Sequence, residues 1–85
     1  MDCQNVLKII NDVGVKLNAP TITEENMKSI DLLVDCNFSS IDIMELAVEL
    51  EKNLKIEIPV YFFNIQTFRS PKRIIDVINN VRGRI

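Results

Sequence analysis

Apolar residues recur along this chain at helical rather than strand spacing. Val6, Ile10, Val13 and Leu17 stand at i, i+4, i+7 and i+11 and predict a first helix over about residues 4–17 with one inward stripe. Gly14 lies inside it and costs about 1 kcal/mol relative to alanine, which makes the C-terminal turn its softest part. Asn18-Ala19-Pro20 stops it. A second helix is predicted over residues 40–54, where Ile43, Leu46, Ala47, Leu50 and Leu54 repeat at i, i+3, i+4, i+7 and i+11. Ser70-Pro71, a hydroxyl N-cap followed by proline, opens a last helix over about residues 71–81, with Ile74, Ile75, Ile78 and Val81 inward and Gly83 near its end.

The stretches between are less regular. Residues 21–39 form a long connection in which Ile22, Met27, Ile30, Leu32 and Leu33 are placed to pin it to the core, and a helical turn over residues 24–30 is left open. Lys55-Ile56-Glu57-Ile58-Pro59 alternates as an extended segment does, but five residues without a partner strand make poor sheet. The apolar run Val60-Tyr61-Phe62-Phe63 predicts a short helix or turn that plugs the core. The expected fold is therefore all-α: a small four-helix bundle of three main helices plus one short helix, in a single domain over residues 1–85. A domain of this size buries roughly 60% of the surface its unfolded chain exposes.

Composition excludes more than it assigns. Apolar residues at 47% and charged residues at 26% argue against disorder. With no histidine, Ser-His-Asp and Cys-His nucleophilic sites and imidazole metal ligands are ruled out, so neither catalytic nor metal residues are assigned. The glycines are Gly14 and Gly83 alone, too few for a phosphate-cradling loop. Cys3 and Cys36 are too few for a disulfide-stapled secreted scaffold, so two ordinary thiols are expected, a single Cys3–Cys36 bridge being the alternative. No signal segment opens the chain and no apolar stretch approaches the ~18 residues of a membrane span. A reduced, cytoplasmic protein is the expectation.

Net charge is −2, unevenly spread. Asp31, Asp35, Asp42, Glu45, Glu49 and Glu51 make an acidic middle free of Lys and Arg, which points to basic protein partners or simply to a solvated face. Arg69, Lys72, Arg73, Arg82 and Arg84 against Asp76 make the C-terminal end basic. That end is short and has no interleaved aromatic row, so no nucleic-acid partner is expected.

The second helix has a second apolar line, Ile41, Met44 and Val48, about a third of a turn from its core stripe and bordered by Asp42, Glu45 and Glu49. It reads either as a wide core stripe or as a partner-docking strip with an acidic border. At the head of this helix Ser39 can act as N-cap, accepting from the amide near Asp42, and Asp42 complements the positive helix end. Asn37 tolerates the left-handed backbone that such a tight approach needs. Ser40 is then the first helical residue, its hydroxyl toward solvent beside free amides that would favour an attached phosphate.

The segment Phe38-Ser39-Ser40-Ile41-Asp42-Ile43-Met44-Glu45-Leu46 resembles the Asp-Ser-Leu motif region of acyl carrier proteins. The likeness extends over nearly the whole chain: leading helix, long loop, serine-headed helix, the Glu57-Ile58-Pro59 stretch, a short helix and a Ser-Pro-started last helix. It implies that Ser40 bears 4'-phosphopantetheine, installed from coenzyme A by a phosphopantetheinyl transferase. It further implies that Ile41, Asp42, Met44, Glu45, Val48 and Glu49 form the surface that partner enzymes read. Those partners would be an acyl- or aminoacyl-activating enzyme and downstream transferases in a fatty-acid, polyketide or aminoacyl pathway, served by a monomeric carrier with no catalysis of its own. Ser39 stands where acyl carriers usually have aspartate, as peptidyl carriers also lack it, and Asn37 stands where many relatives have glycine. Ile58-Pro59, Phe63-Asn64, Phe68, Ser70-Pro71 and Ile74-Ile75 are similar in pattern to D-alanyl carrier proteins, with Asn64 in place of an aspartate and Phe68 in place of a tryptophan. The alternative reading is an unmodified module of the same fold that binds partners through the second helix. A small enzyme built on Asp42 and Glu45 is disfavoured, because carboxylates on an exposed helix face gain little catalytic power.

Overall fold

Each of the three long apolar repeats becomes a helix, and the intervening segments are more structured than their pattern indicates. The computed structural model describes residues 2–83. Among these it contains five α-helices, one 3-10 turn and no strand: α1 (Asp2–Val15), α2 (Leu32–Asp35), α3 (Ser40–Leu54), the 3-10 turn (Val60–Phe62), α4 (Ile65–Phe68) and α5 (Pro71–Arg82). α1 packs against both α3 and α5, and α4 is wedged against α3 and α5. The all-α class stands, with two short helices rather than one beside the three long ones. Arg84, part of the basic end, lies outside the described residues.

The predicted stripes line the core. Val6 and Ile10 of α1, Ile43, Leu46, Ala47 and Leu50 of α3, and Ile74 and Ile78 of α5 are fully buried, with Val13, Leu17, Leu54 and Val81 packed at the margin. Val77 joins them. α1 stops at Val15, two residues before the expected end, in a Schellman turn: Ala19 N–H donates to Gly14 O at 3.0 Å, Asn18 N–H to Val15 O at 3.2 Å, and Asn18 takes φ 57°. A Cβ on Gly14 would come within 3.3 Å of Ala19 Cβ. What Gly14 loses in helix propensity it recovers by letting the chain fold back closely at this point.

The long connection is tied down by side chains. Asn11 on α1 pairs with the backbone of Ile22 in both directions, its Nδ2 donating to Ile22 O at 2.9 Å and its Oδ1 accepting from Ile22 N at 2.8 Å. Ile22, Met27 and Leu32 are buried as expected, with Ile30 and Leu33 at the core margin. Residues 24–29 form turns, not the open helical option, because Asn26 accepts from Thr23 N–H and donates to Thr21 O, a side-chain alternative to helical pairing. The helix appears later, at α2, where Asp31 Oδ1 caps the amides of Leu33 and Val34.

The predicted plug holds in part: Val60–Phe62 forms the expected short turn, and Phe62 and Phe63 pack against the core. In the run from Val60 to Phe63, Val60 and Tyr61 are 89% and 63% exposed, so they do not fill the core. Phe68 does, fully buried on α4, with the Phe63 ring 6.0 Å away between centroids. Asn64 starts α4 by accepting from Thr67 N–H at 2.9 Å. Residues 55–59 have no strand partner. Glu51 holds them instead, its carboxylate accepting from Ile58 N–H at 2.8 Å, while Lys55 turns the chain in the left-handed region at φ 54°.

Candidate functional site at the head of α3

The start of α3 is set by three consecutive residues. Asn37 adopts φ 61°, the left-handed conformation expected of it. Ser39 is extended, and its Oγ accepts from Asp42 N–H at 3.2 Å. Asp42 Oδ2 answers by accepting from Ser39 N–H and from Ser39 Oγ–H, each at 2.9 Å, which completes a capping box. Ser40 follows as the first helical residue. It is exposed, and its hydroxyl has no hydrogen-bond partner among the described residues. With the Asp42 amide taken by Ser39 and the Ile43 amide by Ser39 O, the amides of Ser40 and Ile41 remain for an incoming acceptor. A phosphodiester on a side-chain oxygen is favoured at such a place, because unspent N–H groups and the positive helix end both face negative charge.

Beyond Ser40, α3 forms one wall of a groove of about 680 Å³, and all six residues of the predicted strip line it: Ile41, Asp42, Met44, Glu45, Val48 and Glu49. They are not equivalent. Ile41 is 73% exposed and Val48 46%, whereas Met44 is half-buried and packs on the core, so the wide-core-stripe reading holds for Met44 but not for Ile41 and Val48. Glu45 is exposed; Glu49 is half-buried and accepts from Asn53 Nδ2 at 3.2 Å. Asp42 is engaged with Ser39. The opposite wall, which the sequence reading missed, is α1 and its turn: Ile9, Asp12, Val13, Lys16 and Leu17. Its signal was present as a second line, Ile9, Asp12 and Lys16 at i, i+3 and i+7, outside the core stripe.

The two cysteines are free and buried, with no bridge between them. Burial pushes both thiols up, reinforced at Cys3 by Glu24 and at Cys36 by Asp35 and Asp31. Neither is a thiolate nucleophile near neutral pH. The basic C-terminal cluster is partly neutralised internally, by Arg69–Asp31 and Lys72–Asp76 ion pairs at 2.7 Å each. Among the described residues no helix is long and apolar enough to cross a membrane.

Compared with known protein families, residues 16–78 match the family described as phosphopantetheine attachment site. The match spans most of the chain, and the chain belongs to this family, whose members hold 4'-phosphopantetheine covalently. Comparison with curated proteins and with solved structures gives no match. The head of α3 suits such a group, with an exposed, unpartnered hydroxyl beside uncommitted amides.

Proposed function

We propose that this chain is an acyl or aminoacyl carrier protein and that Ser40 is the residue to which the arm is attached. The observation that carries the reading is the unpartnered, exposed Ser40 hydroxyl at the first position of α3, held there by the Ser39–Asp42 capping box. When bound, 4'-phosphopantetheine supplies a terminal thiol on a flexible arm, on which cargo travels as a thioester. The chain's own residues do the rest. Ser39, Asp42 and Asn37 fix the backbone that presents Ser40, and the unspent amides of α3 stabilise negative charge next to its oxygen. Ile41, Met44 and Val48 with Glu45 and Glu49 offer partners an apolar contact with an acidic border. Those partners are a phosphopantetheinyl transferase acting with coenzyme A, an activating enzyme, and downstream transferases. Tethering raises the cargo's effective concentration at each of them, so the carrier itself needs no catalytic group. The mild net charge of −2 and the Ser39 cap favour a specialised carrier of a fatty-acid, polyketide or aminoacyl pathway.

Intact mass before and after incubation with coenzyme A and a broad-specificity phosphopantetheinyl transferase tests this. The expected result is a gain of one phosphopantetheine, absent in Ser40→Ala, which keeps its helical far-UV spectrum. The second reading, an unmodified interaction module, is favoured by the same Ser39, which replaces the aspartate that the resemblance leads one to expect. It predicts no gain with any transferase and unchanged partner binding in Ser40→Ala.

A further inference from the structure

Two apolar rows meet across the groove beside Ser40. On α1 and its turn they are Ile9, Val13 and Leu17; on α3 they are Ile41, Met44 and Val48. Ile9, Val13, Leu17 and Met44 are half-buried and form its floor, while Ile41 and Val48 rise at the rim. Such a furrow between two packed helices offers the space a third helix occupies. The exposed row from Ile41 to Val48 runs about 10 Å along α3 at 1.5 Å per residue, the reach of two helical turns. An amphipathic helix presenting anchors at i, i+3, i+4 and i+7 supplies a matching apolar stripe.

The charges decide which helix. Asp12, Asp42, Glu45 and Glu49 line the groove against Lys16 alone. Asp42 is engaged through Oδ2 in the Ser39 cap, so Asp12 on one wall and Glu45 and Glu49 on the other are the carboxylates most available to a visitor. An acidic segment laid here meets like charge from both sides, and an apolar one leaves three carboxylates unanswered at its flanks. A segment with Lys or Arg along both edges of its apolar stripe meets opposite charge on each wall.

We propose that α1 is the second wall of the docking surface and that the groove receives a cationic amphipathic helix of a partner protein, laid between α1 and α3. The proposal deepens the docking reading above; it requires that α3 be a docking helix, and it does not require that Ser40 be modified. Its new content is the part played by Asp12 and the apolar row of α1, so that a partner reads two helices at once and its angle of approach is fixed by both.

The test titrates isotope-labelled full-length chain, observed by NMR, with a synthetic peptide about four turns long whose leucines recur at i, i+3, i+4 and i+7 between arginine-lined edges. Controls are a scrambled peptide of the same composition and one with every arginine replaced by glutamate. The expected result is perturbation of amides on both walls, residues 9–17 and 41–53, and binding about tenfold weaker for the scrambled peptide and for Asp12→Lys or Glu45→Lys protein. No binding is expected for the glutamate peptide, and unchanged binding in Ser40→Ala. Perturbation confined to α3 with full affinity in Asp12→Lys overturns the proposal, as does equal affinity for the scrambled peptide, which reduces the effect to bulk charge. Self-association perturbing the same residues without peptide assigns the groove to a second copy and also overturns it. Mass measurement on the same samples separates the two readings: peptide binding without phosphopantetheine gain removes the carrier function and leaves the groove intact, while gain without binding does the reverse.

Discussion

Asp42 has two possible employments, and at the scale of single residues the structure shows one of them. The proposed docking surface includes it in the acidic border, yet Oδ2 accepts two hydrogen bonds from Ser39 while its own amide is capped by Ser39 Oγ. Loss of the Asp42 side chain should therefore act first on the fold. Asp42→Ala is expected to lower stability by about 1 kcal/mol in urea unfolding, whereas Glu45→Ala, at an exposed position, should stay within about 0.5 kcal/mol. Equal effects would mean that the capping box contributes nothing. Asn11 is the second residue of this kind. Its amide satisfies both backbone groups of Ile22, whose side chain is buried, so Asn11→Ala should cost about 2 kcal/mol by leaving a donor and an acceptor without partners. Asn37, Ser39 and Ser40 were legible because turn and cap chemistry is local: a left-handed residue, a hydroxyl cap and a first-turn acid stand within six positions. Asn11 was not, because a polar residue eleven positions from the backbone it serves leaves no pattern along the chain.

Elements divide in the same way. α1, α3 and α5 are 14, 15 and 12 residues long and each repeats apolar positions at helical spacing, and the bounds of α3 coincide with those expected. α2 and α4 are four residues each, a single turn that cannot sustain itself in water. They exist because of contacts distant in sequence. Asp31 caps α2 and at the same time accepts from Arg69 Nε at 2.7 Å, while Leu32 N–H donates to Arg69 O at 2.7 Å, so the end of α4 and the start of α2 hold each other. Only the capping residues Asp31 and Asn64 hinted at these turns. The clasp makes a prediction about pH. Burial alone pushes the Asp31 carboxyl up, but the Arg69 guanidinium and the amides of Val34 and Leu33 outweigh it and hold it below its ordinary value of 3.8. A carboxylate lowered on folding stabilises the fold fully above that ordinary value and loses its contribution as pH falls through the folded one. The stability difference between the natural chain and Asp31→Asn should thus be constant from pH 7 down to about pH 5 and shrink below about pH 4. Thermal unfolding across that range measures it. A difference that changes instead between pH 6 and 8 would place its origin elsewhere.

For the molecule as a whole, a net charge of −2 is too small to steer anything by itself; what can steer is its uneven placement. The groove between α1 and α3 gathers Asp12, Asp42, Glu45 and Glu49, while Lys28, Arg69, Lys72 and Arg73 line a second cleft at the junction of α4 and α5. The acidic middle was visible in the sequence, but its pairing with Asp12 was not, since only the packing of α1 on α3 brings those segments together. If partners are drawn by the acidic groove, their encounter rate must depend on ionic strength, because the screening length falls from about 10 Å at 0.1 M salt to about 3 Å at 1 M. With the transferase as partner, kcat/KM for modification should drop several-fold over that range, mainly through KM, while kcat and the unfolding midpoint of the carrier move little. The double variant Glu45→Gln, Glu49→Gln should start from the lower value and respond to salt weakly. Both substitutions are at least partly solvent-facing and leave the Ser39–Asp42 cap untouched, so a loss of helical signal is not expected. A salt response equal in the natural chain and the double variant would remove α3's carboxylates from partner recognition, even with Ser40 fully modified in both.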